Sequence, residues 1–374
     1  MHTRGPIRIF DAGGAPADVG RAHGTAFADD INRYVRERVD LITAGRWNGG
    51  PLDETDVLAI AESMIPAHAA FDPALHDEME AMADAAGIST AEAIIVGGFT
   101  DFVDTVAAVS GGPPPTTVIE DDCTAVLVPD SCADGAGFFA QTWDMHDTAT
   151  EHVILLRVRP HDAPPARIFT TTGCLGQIGM NDDGLCVGIN NLTGRDGCTG
   201  VTWPSVVRGM LKCTDAQSAL DVLLDADLAG AHNFLILDRH GVGYNVEAMP
   251  STRPVSRLGD APIAHTNHVL DASARHVEVR ADTGLHDNST ARLQAARRLI
   301  EHGTVDAERL FALTREPDAI CQTAVAPYFI ESSGAAVMRP RTRDFWACWG
   351  RPINNEFTPI AAASPRPLAG RQTG

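Results

Sequence analysis

Cys123 stands where a turn-rich segment gives way to an apolar run, a position that suits a catalytic nucleophile. Residues 111–117 read Gly-Gly-Pro-Pro-Pro-Thr-Thr, and residues 124–128 read Thr-Ala-Val-Leu-Val. If the bond between Asp122 and Cys123 is cut, one residue has both a thiol and an α-amine. The amine, with an ordinary pKa near ~8, can then serve as the base. We therefore predict self-cleavage before Cys123, although the 111–117 segment taken alone is at least as typical of a surface loop.

Asp144 is the candidate partner of this nucleophile. The Ser-Cys-Ala-Asp-Gly segment at 131–135 predicts a hairpin turn between two strands. A turn centred between residues 133 and 134 places Asp144 opposite Cys123, and one centred between 134 and 135 leaves it diagonal. Either register predicts a carboxylate near the nucleophile, able to orient a protonated amine. Because Asp is also common at strand ends, a purely structural role stays open.

The His265-Thr266-Asn267-His268 segment follows a short apolar run and offers a second group that acyl transfer needs. An asparagine amide at a strand end can donate to the oxyanion of a tetrahedral intermediate, an interaction worth about 3–4 kcal/mol. We predict this role for Asn267. Two alternatives stay open: His265 and His268 could be metal ligands, although no third ligand at a suggestive spacing lies nearby, or the segment could be a structural turn.

Two further segments end strands with polar residues. Asn190 and Asn191 close the apolar run that begins at Gly184, where they could present donors to a pocket or form an Asx turn. Trp349-Gly350-Arg351-Pro352 is more typical of a turn after a strand.

The composition excludes several classes of function. A formal net charge of −20, with Lys212 as the single lysine, argues against nucleic-acid and membrane partners. The eight cysteines form no Cys-x-x-Cys pair, and we expect most of the seven other than Cys123 to be buried free thiols. We see neither a signal peptide nor an apolar stretch long enough to span a membrane, so we expect a cytoplasmic protein, and we expect it to need no cofactor or metal.

The pattern of elements predicts helices first and strands later. Apolar residues at helical spacing from Phe27 to Ile42 and from Leu75 to Met82 indicate helices. Capping boxes at Ser89 and Thr214 indicate two more, and further helices are predicted at 204–212, 289–302 and 305–315. The predicted strands are 124–128, 137–143, 153–158, 167–172, 185–190, 233–237, 243–249, 262–266, 335–338 and 344–349.

An ordered set of motifs resembles one known family, the acyl-coenzyme A:6-aminopenicillanic acid acyltransferase group, or peptidase family C45, among the N-terminal nucleophile hydrolases. The motifs are Gly20-Arg21-Ala22-His23-Gly24, Asp122-Cys123-Thr124, Gln141-Thr142-Trp143-Asp144, the 173–181 segment, His265-Thr266-Asn267-His268 and Gly350-Arg351-Pro352. Each motif alone is weak, but the ordered set is fairly specific.

This resemblance implies an α+β fold, a four-layer αββα sandwich of two antiparallel sheets. It also implies that self-cleavage releases residues 1–122, mainly helical, as a separate chain that stays associated with residues 123–374. In family terms, Cys123 is the nucleophile, Asn267 forms the oxyanion hole, Asp144 supports the catalytic amine, and Asn191 or Asn190 is a helping donor. The expected partners are a small amide or N-acyl substrate and, for transfer, an acyl-coenzyme A or an amine acceptor.

The chain also departs from the family pattern. Asp122 stands where glycine is common, and Ile320-Cys321-Gln322 replaces Ile-Cys-Arg. Losing that arginine removes a permanently charged fork, so Gln322 changes what the substrate site can recognise. We therefore weigh a self-processing amidohydrolase or acyltransferase against a non-processing binding protein of the same fold.

Overall fold

The computed structural model describes residues 6–45, 50–111, 122–279, 283–326 and 329–362. Apart from Gly111, the predicted cleavable loop at 111–117 lies outside these residues. The strands, in chain order, are β1 (Ile9–Gly14), β2 (Asp122–Val128), β3 (Phe138–His146), β4 (Val153–Pro160), β5 (Ala166–Thr171), β6 (Ile178–Asn181), β7 (Leu185–Asn191), β8 (His232–Asp238), β9 (Gly243–Ala248), β10 (Val255–Arg257), β11 (Ile263–His265), β12 (Ile330–Arg339), β13 (Asp344–Trp349) and β14 (Thr358–Pro359).

These strands form two sheets. The eight-stranded sheet has the order β1-β4-β5-β6-β7-β8-β9-β10, and the six-stranded sheet has the order β11-β2-β3-β12-β13-β14. Neighbouring strands are antiparallel except β1 and β4, which run parallel. The helices are α1 (Pro16–Thr43), α2 (Glu54–Phe71), α3 (Pro73–Ala86), α4 (Thr90–Gly97), α5 (Phe99–Ser110), α6 (Trp203–Met210), α7 (Ala216–Asp225), α8 (Thr283–Ile300) and α9 (Ala307–Thr314).

Three apolar clusters show how the layers pack. Phe139 of β3 and Leu235 of β8 share a cluster that lies between the two sheets and extends into α1 to α5. Val207 of α6 belongs to a second cluster on the outer face of the eight-stranded sheet. Val126 of β2 and Leu293 of α8 belong to a third, on the outer face of the six-stranded sheet. The layers are therefore helix, sheet, sheet and helix, and the predicted α+β sandwich is confirmed.

Side chains alternate along β2, and this places the groups around Cys123 on two different faces. Cys123 and Leu127 belong to the cluster between the sheets. Val126 belongs to the cluster under α8 and α9. Asp122 and Thr124, one residue on either side of Cys123, therefore share the face toward α8.

The motif that contains Gly20 and Gly24 explains how α1 packs on α3. A Cβ atom at Gly20 would lie 1.9 Å from the carbonyl oxygen of Glu78, and one at Gly24 would lie 2.2 Å from that of Met82. Only glycine allows the two helices to approach so closely. Between these glycines, His23 accepts a hydrogen bond from the backbone N–H of Gly173 at 3.2 Å, which ties α1 to the turn after β5.

The predicted elements are largely present, with differences that have local causes. All ten predicted strands occur, whereas the sequence pattern missed β1, β6, β10 and β14. The Ser89 capping box is confirmed, but the box at Thr214 is wrong: Asp215, directly before α7, caps that helix by accepting from the Ser218 N–H at 2.9 Å. Within the described residues, no single helix is long and apolar enough to cross a membrane, and α4 and α5 pass that test only as a pair bent by 107°.

The eight cysteines are free thiols, as predicted. Burial is not uniform among them, however. Cys174, Cys186, Cys321 and Cys348 are buried as expected, whereas Cys198 is exposed and Cys132 and Cys213 are half-buried. The last three lie on or beside loops between elements rather than in the centre of a sheet.

Candidate active site

Cys123 is the second residue of β2 and is fully buried. Its backbone N–H donates a hydrogen bond to Oδ1 of Asn267 at 2.7 Å. Because β2 runs through both Asp122 and Cys123, the geometry is that of the uncleaved chain. The nitrogen that would become the free amine is therefore already held by the side chain predicted to form the oxyanion hole.

The hairpin register differs from both predicted registers. Cys123 pairs with Trp143, and Asp122 pairs with Asp144. The connection spans residues 129–137 and contains a short 3₁₀ turn at Asp130–Cys132, so its centre falls earlier than a turn at residues 133–135 would place it. Asp144 consequently lies beside the peptide bond between Asp122 and Cys123, on the sheet face toward α8, and not directly opposite or diagonal to Cys123.

Asp144 is a buried carboxyl group with hydroxyl donors. Ser332 Oγ donates to its Oδ1 at 2.6 Å, and Thr142 Oγ1 donates to its Oδ2 at 3.4 Å. Burial raises the pKa of Asp144 to about 8, with Arg292 opposing the rise. Burial also raises the pKa of Asp122, again opposed by Arg292. In the uncleaved chain Asp144 therefore holds its proton at neutral pH.

Arg292 of α8 is at the centre of the cluster, and no motif in the sequence pointed to it. It is fully buried. Its Nη1 donates to the carbonyl oxygen of Cys123 at 2.5 Å, and its Nη2 donates to Asp122 Oδ1 at 2.7 Å and to Asn267 Oδ1 at 3.0 Å. Its Nε donates to Asn288 Oδ1 at 2.7 Å, one helical turn earlier. One guanidinium thus contacts both residues of the proposed cleavage site and the predicted oxyanion residue.

Asn267 is fixed at both ends of its amide. Oδ1 accepts from Cys123 and Arg292, and Nδ2 donates to the carbonyl oxygen of Asn191 at 3.0 Å. Ser289 of α8 secures the backbone, because its Oγ accepts from the Asn267 N–H at 2.9 Å. The loop after β11 is therefore fastened to α8 on one side and to the end of β7 on the other.

The two histidines beside Asn267 are bonded to groups within the protein. His265 Nε2 lies 2.8 Å from Glu247 Oε1. Burial would raise the pKa of Glu247, but the hydrogen bond from His265 and the charge on His265 hold it below its usual value. His268 Nδ1 lies 2.8 Å from Ser289 Oγ, and burial lowers the pKa of His268 to about 4. Both side chains therefore shape the loop, which is the structural alternative to metal binding.

Asn190 and Asn191 contribute in different ways. Asn190 is fully buried and shares the face of β7 that carries Cys186, toward the space between the sheets. Its Oδ1 accepts from Asn233 at 3.3 Å, and its Nδ2 has no hydrogen-bond partner among the residues that the structure describes. Asn191 contributes the backbone carbonyl that holds Asn267. Asn190 is thus the better placed of the two as a side-chain donor.

Gln322 also joins the cluster, through α8. Its Oε1 accepts from Asn288 Nδ2 at 3.1 Å, and its backbone carbonyl accepts from Arg351 Nε at 2.8 Å. The structure thus brings Asp122, Cys123, Asp144, Asn267 and Gln322 to one place around Arg292. A cleft of about 620 Å³, lined by residues that include Thr323, Glu331 and Arg351, adjoins the side where Gln322 lies.

The missed residues share a sequence signal. Asn288, Ser289 and Arg292 lie at positions i, i+1 and i+4 of one helix, so they project from neighbouring faces toward the site. In the sequence, Ser289 and Arg292 lie in the predicted helix 289–302 and Asn288 directly precedes it, so three polar residues at this spacing were the available signal. What the sequence did not reveal was that this helix packs over the start of β2.

Comparison with known proteins places the chain in a family. The model of the family described as acyl-coenzyme A:6-aminopenicillanic acid acyl-transferase matches residues 130–354, which is 225 of the 374 residues. The chain belongs to this family. The matched range includes Asp144, Asn267 and Arg292, and it begins seven residues after Cys123. Membership in this family supports the conclusion that the chain is an enzyme that hydrolyses amides or transfers acyl groups.

Individual relatives are more distant. The chain is similar to the 40 kDa form of acyl-coenzyme A:6-aminopenicillanic-acid-acyltransferase from Emericella nidulans, with 23% identity over 263 residues, 69% of this chain and 68% of that one. A solved single-residue variant of conjugated bile acid hydrolase from Clostridium perfringens aligns with a TM-score of 0.46 and 10% identity over 66% of this chain and 100% of that one. The Caenorhabditis elegans ortholog of N-acylethanolamine-hydrolyzing acid amidase aligns with a TM-score of 0.41 and 12% identity over 59% and 93%.

Proposed function

We propose that this protein is a self-processing cysteine N-terminal nucleophile enzyme that cleaves or transfers an acyl group from an amide through an acyl-Cys123 intermediate. One observation supports this above the rest: the Cys123 nitrogen lies 2.7 Å from Asn267 Oδ1, inside a buried polar cluster that Arg292 joins to Asp122. A cysteine that only packs in the core would not require buried polar side chains around its backbone nitrogen and carbonyl.

Self-cleavage would use the same atoms. The Cys123 thiol attacks the carbonyl carbon of Asp122, the bond from that carbon to the Cys123 nitrogen breaks, and the nitrogen takes up a proton to leave as an amine. Water then hydrolyses the thioester that joins Asp122 to sulfur. The products are residues 1–122, which end in a carboxylate, and residues 123–374, which begin with a free amine.

Turnover would repeat this chemistry on an outside amide. The Cys123 amine accepts the thiol proton, and the thiolate attacks the substrate carbonyl. The Nδ2 groups of Asn267 and Asn190 are the candidate donors to the resulting oxyanion. Asp144 supports the amine from the neighbouring strand. Once the leaving amine has taken a proton and departed, water or an amine acceptor attacks the acyl-Cys123 thioester and regenerates the thiol.

Buried contacts support the continued association of the two proposed chains. Arg208 of α6 and Glu78 of α3 form a double hydrogen bond at 2.8 and 2.9 Å, and both side chains are buried. His68 of α2 lies 2.9 Å from Thr202 Oγ1. These contacts join residues on opposite sides of Cys123 and do not involve the bond that would be cut.

The family and the fungal relative guide the choice of substrates. Both are named for an acyl-coenzyme A donor and a 6-aminopenicillanic acid acceptor, so thioester donors and amine acceptors belong in the first screen. We place amide hydrolysis slightly ahead of acyl transfer, and the two share every step before the acceptor enters. Product analysis with a competing amine separates them: an enzyme limited to hydrolysis gives no aminolysis product at high amine concentration.

The non-processing alternative has one observation in its favour. Asp122 is buried and lies 2.7 Å from Arg292 Nη2, so any movement of Asp122 during cleavage would break a buried contact. The deciding experiment is gel analysis with N-terminal sequencing of the purified wild type beside Cys123→Ala. We expect two wild-type fragments, one starting Cys-Thr-Ala, and a single band for the variant. A wild type that stays intact and forms no acyl adduct on Cys123 supports the binding protein instead.

A further inference from the structure

We infer that Arg292 is a positioning residue: it locks the orientation of the Asn267 amide after Cys123 has become a chain terminus. This inference rests on the proposed function, because it concerns the cleaved enzyme. It assigns to α8 a task that neither the family motifs nor the predicted site residues include.

In the uncleaved chain, three groups among the described residues favour the same orientation of the Asn267 amide. The Cys123 peptide nitrogen and Arg292 Nη2 can only donate, and both contact Oδ1, at 2.7 and 3.0 Å. The Asn191 carbonyl can only accept, and it contacts Nδ2 at 3.0 Å. An amide rotated by half a turn would place donor against donor and acceptor against acceptor, so one orientation is fixed.

Self-cleavage removes one of these constraints. The freed Cys123 amine, when neutral, can donate through its N–H groups or accept through its lone pair, so it no longer selects Oδ1. In the rotated orientation Nδ2 would donate to that lone pair. This would occupy the base needed for the thiol and would turn the oxyanion donor away from the substrate. Both losses act on the chemical step rather than on substrate binding.

Arg292 opposes this rotation on the Oδ1 side, as the Asn191 carbonyl does on the Nδ2 side, because a guanidinium has no acceptor at any relevant pH. Its direction is also fixed, since Nε is held by Asn288 Oδ1 at 2.7 Å and Nη1 by the Cys123 carbonyl oxygen at 2.5 Å. These two contacts aim Nη2 at Asn267. A lysine in the same place keeps the charge but has no planar fork to make the three contacts in fixed directions.

The test compares self-cleavage with turnover in Arg292→Lys, made in the full chain. Self-cleavage should stay within about threefold of wild type, because the peptide N–H still orients the amide and the lysine charge still faces Asp122. Turnover of an N-acyl p-nitroanilide by the cleaved protein should fall in kcat by about 10²-fold, near the loss of an oxyanion donor, with KM within about twofold. Arg309→Lys is the matched control: Arg309 Nε donates to the Leu299 carbonyl at 2.8 Å, away from the site.

A double-mutant cycle identifies the route of the effect. If Arg292 acts through the amide, Arg292→Lys should cost less than about twofold once Asn267→Ala has removed that amide. Asn288→Ala frees Nε of Arg292 and also removes the hydrogen bond from Asn288 Nδ2 to Gln322 Oε1. It should give a smaller kcat loss with the same pattern, and it serves if Arg292→Lys is unstable by thermal melting. Additive losses, or equal damage to self-cleavage and turnover, overturn the inference.

The two proposals fail in different ways. A wild type that never yields the chain starting at Cys123 overturns the proposed function and this inference with it. A wild type that cleaves and turns over, with Arg292→Lys indistinguishable from Arg309→Lys in kcat, overturns the inference alone.

Discussion

Two buried arginines, Arg208 and Arg292, join the parts of the chain on either side of Cys123. Arg208 binds mainly one carboxylate, whereas Arg292 binds several different residues. Arg208 places both terminal nitrogens on the single carboxylate of Glu78, at 2.8 and 2.9 Å, with one further bond to the Leu175 carbonyl. Arg292 distributes its nitrogens over Cys123, Asp122, Asn267 and Asn288, with a further contact to Thr124.

The difference shows how a structural contact and a functional one can be told apart. The carboxylate that Arg208 binds lies on a helix and changes in no step of the proposed reaction. In that proposed reaction, the groups that Arg292 binds would include Asp122, which becomes a chain end, and Cys123, whose nitrogen changes from amide to amine. A buried charge is costly unless its partners persist, so Arg292 is stable only in a site that supplies partners in both states.

Breaking the Arg208 pair should have the largest effect on stability. Glu78→Ala leaves a buried guanidinium without its carboxylate, and we expect the free energy of unfolding to fall by about 3–5 kcal/mol. Activity per titrated Cys123 thiol should be unchanged. Urea unfolding of the cleaved protein measures the first quantity. Glu356→Ala is the control, because its partner Arg315 forms a pair in which Glu356 is 94% exposed. A lower kcat in folded Glu78→Ala would remove the distinction between the two arginines.

Asn267→Ala should show the opposite profile. We expect kcat to fall by 10²–10³, or about 3–4 kcal/mol in the barrier, with a stability loss smaller than that of Glu78→Ala. Steady-state kinetics on the cleaved protein measure this. Asn32→Ala is a matched control, since Asn32 Nδ2 donates to the Ala86 carbonyl at 2.7 Å within the helical layer. Retention of near-wild-type kcat would mean that Asn267 is not the oxyanion donor.

The sequence predicted the site residues that short local patterns mark, and it did not predict those that depend on contacts between distant parts of the chain. Cys123, Asp144 and Asn267 stand at strand ends, where short-range patterns and the resemblance both point, and the structure gathers them together. The register of Asp144 was wrong because a 3₁₀ turn of three residues shifted the centre of the hairpin loop. Local pattern cannot resolve a shift of that size.

Arg292 was missed for a different reason. Its importance comes from α8 packing across β2, a contact between residues 169 positions apart. Nothing in the helix itself specifies which strand it covers. Gly20 and Gly24 illustrate the same limit: the motif was visible, but its role in the close approach of α1 and α3 emerged only from the fold.

The pH dependence of the free energy of unfolding tests the protonation state of Asp144, which lies in the Arg292 cluster. Its pKa is raised to about 8 in the uncleaved chain, against an ordinary value of 3.8. Between these values the folded state holds a proton that the unfolded state has lost. Its contribution to stability is therefore complete below the ordinary value and disappears as the pH rises through about 8, by up to about 1.4 kcal/mol per pH unit.

Cys123→Ala keeps the chain uncleaved and allows this to be measured. Histidines such as His268, whose pKa is lowered by burial to about 4, add a slope of the opposite sign in both variants, so the difference between the two variants reports Asp144. From pH 5 to pH 8, the unfolding free energy of Cys123→Ala should fall relative to that of Cys123→Ala with Asp144→Asn, because the amide mimics the protonated acid without titrating. Asp122, whose pKa is also raised, adds a slope of the same sign in both proteins. Parallel pH profiles from the two variants would mean that Asp144 is ionised in the folded chain.

Ser289→Ala should give the smallest effect, because Ser289 acts on the site through the loop that carries Asn267. Its Oγ contacts the Asn267 N–H at 2.9 Å and His268 Nδ1 at 2.8 Å. Loss of these bonds should cost about 1–2 kcal/mol in unfolding free energy and lower kcat by about threefold to tenfold with KM unchanged. Ser63→Ala, which removes a helix serine that donates to the Ile60 carbonyl at 2.6 Å, is the control. Since Arg292 and the Asn191 carbonyl hold the Asn267 side chain directly, a kcat loss as large as that of Asn267→Ala would show that the loop backbone, and not these two groups, determines where the amide lies.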